Sequence, residues 1–179
     1  MSLDFSIFGN DFFQNEKPIT DRSGIESCAV DDFFRGRRRF DITVKELREG
    51  YECDESACLA FMEPEAFSFF LPLFMKMAIC YYDESENIPD SVVYKLHRMA
   101  TGGANDWLDE IMKVYSKNQR HIIIEFLDEM SRIEWRHHVP DLASEAASLL
   151  RKNFDIPTSI FIFFGKQLFA LAKSWLRIW

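Results

Sequence analysis

The sequence predicts a mainly α-helical fold, a compact single-domain bundle of several helices with an irregular N-terminal region. After residue 42, apolar residues recur at spacings of three and four, which is the period of an amphipathic helix. Capping residues, glycines and prolines divide this pattern into segments of helical length. No alternating pattern of comparable length indicates a strand beyond residue 42. With 179 residues, 47% of them hydrophobic, the chain can bury a core of its own.

The N-terminal region, residues 1–42, is expected to contain short elements and loops, because Pro18 and other turn residues interrupt its apolar pattern. Thr43 and Glu46 then form a capping box, in which each side chain satisfies a backbone donor of the other residue. Gly50 is suited to end that short helix. Regular helices are therefore predicted from residue 43 onwards.

A longer apolar helix is expected to start at Pro64 and to run towards Tyr82, since proline fits the first turn of a helix. Pro72 lies inside this segment and should kink or split the helix, because it removes one backbone hydrogen bond. Cys80 belongs to the same apolar run and is predicted to lie in the core.

The next predicted helix covers residues 91–100. Asp90 is its expected cap, and Gly102 and Gly103 are expected to end it. Asn105 or Asp106 then caps a helix whose apolar face consists of Trp107, Leu108, Ile111, Met112 and Tyr115.

Ser116 and Gln119 form a second capping box, which opens a helix predicted to continue to about Trp135. Its expected core face consists of Ile123, Phe126, Leu127, Met130 and Ile133. Pro140 starts another helix, and Pro157 precedes the last one. Residues 136–179 are thus assigned to C-terminal helices that complete the single domain 1–179.

The segment from Phe161 to Trp179 is apolar enough to suggest a membrane helix. Five residues interrupt it: Gly165, Lys166, Gln167, Lys173 and Arg177. On a helix, Lys166, Lys173 and Arg177 fall on a different face from the apolar stripe. The pattern predicts an amphipathic helix rather than a membrane span. A helix docked on the core is favoured over an interfacial membrane anchor, which the tryptophan and cationic residues keep as an alternative.

The charge balance disfavours nucleic acid as a partner, since 29 acidic and 21 basic residues give a net charge of −8. The N-terminal residues lack the basic and apolar regions of a secretory signal, so a cytoplasmic protein is expected. The cysteines are few, contain no CxxC pair and are expected to be reduced thiols: Cys28, Cys53, Cys58 and Cys80.

No catalytic or metal site is assigned from the sequence, and no cofactor is expected. Glu134 and His137 have a spacing that can place two metal ligands on one helical face, but no second copy occurs. His121 and Glu125 are four residues apart, which a surface pair explains. A metal-dependent enzyme built on the helix at residues 117–138 remains an alternative.

The basic run at residues 35–39, with Arg35, Arg37, Arg38 and Arg39, could hold a phosphate or an acidic partner. Because aspartates flank the run on both sides, a solvated and partly self-neutralised loop is the favoured interpretation.

Two acidic clusters are the candidate partner-binding residues. The first consists of Glu49, Glu52, Asp54, Glu55 and Glu63, and no lysine or arginine occurs between residues 49 and 65. The second follows the helix that contains Pro72 and includes Asp83, Glu84 and Glu86. Such clusters are usually ordinary surface, but they also suit a basic protein partner.

One segment resembles a known family. FMEPEAFSFFLPLF, at residues 61–74, is similar to the signature f-x-x-p-e-a-f-x-y-y-l-P-a-y-l of a bacterial domain family of unknown function. In that family a Gln-Arg pair opens a later helix that contains Phe-Leu. The matching residues here are Ser116, Gln119, Arg120, Phe126 and Leu127. The resemblance covers residues 55–135 and implies a compact helical domain without an assigned catalytic residue.

The preferred hypothesis is a non-catalytic protein-binding domain, specifically an immunity-type protein that neutralises a cognate bacterial toxin by occluding it. Its expected partner is a basic toxin or effector domain, steered by the acidic clusters. The alternatives are the metal-dependent enzyme and a membrane-associated adaptor that uses residues 161–179. The oligomeric state is left open.

Overall fold

The computed structural model describes residues 3–14, 16–102 and 107–154. This part of the chain contains eight α-helices and no β-strand, which confirms the mainly α-helical prediction. The helices are α1 (Ile25–Phe34), α2 (Val44–Gly50), α3 (Cys58–Phe61), α4 (Pro64–Cys80), α5 (Ile88–Ala100), α6 (Trp107–Val114), α7 (Lys117–Met130) and α8 (Pro140–Asn153). Three short 3₁₀ turns accompany them, at Phe5–Phe8, Arg39–Asp41 and Glu55–Ala57. The predicted final helix at residues 161–179, Gly103, and the caps at Asn105 or Asp106 lie outside the described residues.

Helix α4 is the centre of the fold. It packs against α5, α6 and α7, while α8 packs against α5 and α7. Its buried side chains include Phe67, Phe70, Leu71, Phe74 and Met75. Phe34 of α1 is fully buried against this helix, with its ring centroid 4.8 Å from that of Phe70. Apolar residues cover α4 on more than one face because it is the element that the other helices enclose.

Pro72 lies inside α4, and the helix is not split there. Because proline has no N–H, the carbonyl of Ser68, four residues earlier, loses its helical donor. The hydroxyl of Tyr115, which follows α6, donates a hydrogen bond to this carbonyl. A side chain 47 residues away thus replaces the missing backbone bond.

Two helix boundaries differ from the sequence prediction. Helix α5 begins at Ile88 rather than at residue 91, so Asp90 lies in the first turn instead of capping the helix. Pro89 fits that turn because its missing N–H has no helical acceptor there. Helix α7 ends at Met130, five residues before Trp135, and the imidazole of His138 lies 2.7 Å from the Met130 carbonyl. The Ile133 N–H also donates to this carbonyl, at 3.2 Å, so a local turn and a tertiary contact together satisfy it where the helix would otherwise continue.

Cys80 is exposed at the end of α4, so its predicted place in the core is wrong. It is the last residue of the helix and lies beyond the buried face that ends at Ala78. Cys28, Cys53, Cys58 and Cys80 are all free thiols, as expected. Within the described residues, no helix combines the length and apolar character needed to cross a membrane.

Both capping boxes predicted from the sequence are confirmed. At α2, the Thr43 hydroxyl accepts from the Glu46 N–H at 3.1 Å, and the Glu46 carboxylate accepts from the Thr43 N–H at 3.0 Å. These hydrogen bonds hold the pKa of Glu46 below its ordinary value. The stabilisation is therefore present above the ordinary carboxyl pKa and is lost as pH falls through the lowered one.

Thr43→Ala is expected to lower the free energy of unfolding by about 1 kcal/mol, because the first turn of α2 loses its side-chain acceptor. The same change should move the pKa of Glu46 part of the way back towards its ordinary value, since the hydroxyl of residue 43 no longer donates to it while the backbone N–H still does. Chemical denaturation measures the first effect and a carboxyl NMR titration the second. An unchanged Glu46 titration would show that the Thr43 hydroxyl does not donate to Glu46 in solution.

Candidate partner-binding surface

Residues 49–55 of the first acidic cluster lie 28 positions before the second cluster, and the two are neighbours in the fold because Arg48 of α2 contacts both. Its Nε lies 3.8 Å from a carboxylate oxygen of Glu55. Its Nη2 lies 3.1 Å from a carboxylate oxygen of Glu86 and donates to the backbone carbonyl of Glu84. The combined region is called the acidic surface below and consists of Glu49, Glu52, Asp54, Glu55, Asp83, Glu84 and Glu86.

The carboxylates of this acidic surface differ in their hydrogen bonds and ion pairs with neighbouring residues. Asp54 accepts from the N–H and hydroxyl of Ser56 and so caps the 3₁₀ turn Glu55–Ala57. Glu49 lies 3.9 Å from Lys45 on the next turn of α2. Glu52 and Glu84 are exposed, and their carboxylates form no hydrogen bond or ion pair with another described residue. These two carboxylates are the ones most available to a partner.

A hydrogen-bonded network fixes the turn that carries Asp83, Glu84 and Glu86. The Tyr82 hydroxyl accepts from the His137 N–H at 3.0 Å and lies 2.8 Å from Nδ1 of His138. Since the Met130 carbonyl can only accept, Nε2 of His138 carries the hydrogen that it shares with this oxygen. The tyrosine hydroxyl then donates to Nδ1. Tyr82 and His138 are both buried, so the network ties the end of α4 to the end of α7.

An apolar groove of about 460 Å³ lies beside the acidic surface. Its floor is formed by apolar side chains of α2, α4 and the segment before α2: Phe40, Ile42, Val44, Leu73 and Met77. Tyr81, which is 47% exposed, and the carboxylates of Glu49 and Glu84 lie at the groove. Lys76 also lines it, with its ammonium 5.2 Å above the ring of Phe40. The groove offers apolar contact area next to exposed carboxylates.

Two of the candidate acidic residues have surroundings that the sequence does not suggest. Glu63 is not joined to the Arg48 cluster by any contact among the described residues, and its backbone N–H donates to the carbonyl of Ile19 at 2.8 Å. Asp83 pairs with Arg136 at 2.9 Å. The sequence also gives no reason to single out Arg48, because two of the residues that it contacts, Glu84 and Glu86, are more than 35 positions away.

The basic run at residues 35–39 is not a uniformly solvated loop. Arg35 pairs with the buried carboxylate of Asp31. The guanidinium of Arg37 lies 4.2 Å from the ring centroid of Phe33, and that of Arg38 lies over Phe12. Arg39 is only 7% exposed, which contradicts the solvated interpretation for this residue. Cation–π contacts with neighbouring aromatic rings thus hold Arg37, Arg38 and Arg39 against the rest of the protein.

The residues considered for a metal site form local pairs instead. His121 lies 3.3 Å from Glu125 on the next turn of α7, in agreement with the surface pair. His137 lies 3.7 Å from Asp83, while Glu134 is exposed in the segment after α7. Across the described ranges, no three His, Cys, Asp or Glu side chains converge as metal ligands.

A family model matches most of the sequence. The family has the description "family of unknown function", DUF6714, and its model matches residues 20–148. This match extends beyond the resemblance at residues 55–135 in both directions. No curated protein and no solved structure matches the chain. Because the family model covers more than half of the sequence, the chain belongs to DUF6714, a family of unknown function.

Proposed function

We propose that this protein is a non-catalytic binding domain that holds a basic protein partner on its acidic surface. In the specific form of the proposal, it is an immunity-type protein that neutralises a cognate bacterial toxin by occluding it. The observation that carries the proposal is the meeting of residues 49–55 with residues 83–86 around Arg48, beside the apolar groove.

Charge supports a basic partner. The whole chain has a net charge of −8, and the acidic surface includes the exposed carboxylates of Glu52 and Glu84, which form no ion pair with another described residue. A local excess of negative charge attracts a basic partner before contact and orients it, which raises the association rate. Arg48 and Lys45 reduce this excess but are themselves held in ion pairs with Glu49, Glu55 and Glu86.

The apolar groove can contribute binding affinity that charge alone does not provide. Interfaces gain most of their affinity from a few apolar or aromatic side chains that are buried at the centre, with polar groups around them. Here the carboxylates of Glu49 and Glu84 lie at the apolar floor, and Tyr81 provides an exposed aromatic ring beside it. An apolar side chain of the partner would enter the groove while basic residues meet the carboxylates of the acidic surface.

Charge reversal tests the proposal. Glu52→Lys combined with Glu84→Lys should strongly reduce the capture of a basic partner from the native lysate, because both unpaired carboxylates become cations. Asp54, Glu55 and Glu86 are left unchanged, since they cap a turn or hold Arg48. Quantitative mass spectrometry of the captured proteins, at low and moderate salt, measures the effect.

The matched control reverses two exposed carboxylates outside the acidic surface, Glu16→Lys with Glu110→Lys, and so changes the net charge equally. We expect the control to retain a stoichiometric basic partner that the first variant loses. Equal capture by both variants would contradict binding through the acidic surface. Capture of no partner by the unaltered protein would contradict the binding function itself.

A further inference from the structure

A second cleft, of about 540 Å³, lies between the N-terminal segment, α4 and the end of α6, and shares no lining residue with the apolar groove. Its aromatic lining includes Phe12, Phe69 and Tyr115. Phe12 and Val114 are apolar but remain 52% and 63% exposed at this cleft. The volume and the largely apolar lining are those of a small-molecule site.

Arg39 lines this cleft, and its charge lacks a partner. Only 7% of Arg39 is exposed, so more than nine-tenths of the residue is buried. Nη1 donates to the backbone carbonyls of Phe8 and Gly9, the latter at 3.2 Å. Nε is closed to solvent and has no hydrogen-bond partner. Nη2 forms no hydrogen bond with another described residue. No described carboxylate forms an ion pair with the guanidinium.

The ring of Phe69 lies 4.1 Å from the guanidinium carbon of Arg39, which compensates part of the buried charge. Burial nevertheless holds the pKa of Arg39 below its ordinary value. The other charges of the cleft are Lys17 and Glu65, which pair with each other at 2.9 Å, and the exposed carboxylate of Asp11. The cleft therefore contains one cation without a direct counter-ion.

We propose that this cleft binds a small aromatic carboxylate, whose carboxyl group accepts a hydrogen bond from Nη2 of the Arg39 guanidinium. A hydrogen bond between a charged donor and a charged acceptor is stronger than one between neutral groups. The ring of the ligand packs beside Phe12 and Val114, which explains why these side chains are exposed there. A singly charged group fits better than phosphate, because Asp11 and Glu65 repel a second negative charge.

The site is independent of the acidic surface and of the proposed protein-binding function. Its test is an NMR titration of the full chain with 3-phenylpropionate. We expect chemical-shift changes centred on Arg39, Phe69 and Val114, and an affinity about tenfold higher than that of 3-phenylpropionamide, which has the same size but no charge. Inorganic phosphate should bind more weakly than the carboxylate.

Variants at Val114 test the charge dependence without disturbing the core, because this side chain is exposed. Both changes remove the apolar contact with the ligand ring, so the two variants are compared with each other. Val114→Lys should bind the carboxylate about tenfold more tightly than Val114→Glu at low salt. Arg39→Gln should abolish the preference for the acid over the amide. The proposal is overturned if acid and amide bind equally to the unaltered protein, if the two Val114 variants have the same affinity, or if the shift changes lie away from the cleft.

Discussion

Replacing His138 with alanine is expected to lower the free energy of unfolding by about 3 kcal/mol, the largest effect of any single change considered. The buried imidazole connects the Tyr82 hydroxyl to the Met130 carbonyl. Its removal leaves a cavity, takes the acceptor away from the hydroxyl, and leaves the Met130 carbonyl with the Ile133 N–H, at 3.2 Å, as its remaining donor. Each of these consequences is destabilising in a buried site.

The adjacent His137 provides the control. Its side chain is 31% exposed, lies 3.7 Å from Asp83 and packs against the ring of Tyr82, with centroids 5.2 Å apart, while its backbone N–H, which alanine retains, makes the bond to Tyr82. His137→Ala should therefore cost about 1 kcal/mol, clearly less than His138→Ala, since it removes one exposed ion pair and one ring contact. Urea denaturation of both variants measures the two losses in the free energy of unfolding. Equal losses would show that the buried network does not hold α4 and α7 together.

Tyr115→Phe is expected to lower the free energy of unfolding by about 2 kcal/mol, because the buried Ser68 carbonyl then has no donor. Burial raises the pKa of the Tyr115 hydroxyl, so the group keeps its hydrogen and remains a donor at neutral pH. The side chain otherwise keeps its packing, since phenylalanine retains the ring.

A variant of Pro72 tests whether the Tyr115 hydroxyl replaces the backbone hydrogen bond that proline removes. Pro72→Ala restores a backbone N–H that can bond to the Ser68 carbonyl. In that background, Tyr115→Phe should cost clearly less than in the unaltered chain, by a coupling of about 1 kcal/mol. Denaturation of the two single variants and the double variant gives this coupling. Strictly additive effects would mean that the tyrosine does not replace the bond that Pro72 removes.

Local sequence signals predicted the helices well where the stabilising contacts are also local. The capping boxes at Thr43 and Ser116 involve residues three positions apart, so the sequence contains all of their partners. Pro140 likewise begins α8, as its preference for a first turn indicates. These elements need no knowledge of the rest of the fold.

The features that the sequence did not predict depend on distant partners. Pro72 does not split α4 because Tyr115 supplies the donor, and α7 ends early where His138 meets its last carbonyl. Arg39 is buried because carbonyls of Phe8 and Gly9, about 30 residues earlier, accept from it. A periodic pattern contains no information about such pairings.

The candidate site contains features of both kinds, some visible in the local sequence and others dependent on distant partners. The sequence identified the acidic residues by composition, but it could not show that Arg48 brings residues 49–55 and 83–86 together. It also gave no indication of the apolar groove, whose floor includes Ile42 from before α2 and Leu73 from α4. Glu63, placed in the same acidic run by sequence, has no contact with the Arg48 cluster among the described residues.

The most direct test of the central proposal is the association rate constant with the captured partner, measured by stopped flow at several salt concentrations. For the unaltered protein we expect a rate that falls as salt rises, because screening weakens steering by exposed charges. The variant with Glu52→Lys and Glu84→Lys should associate at least about tenfold more slowly at low salt and show a weaker salt dependence. The same rate constant and salt dependence for both proteins would contradict binding through the acidic surface.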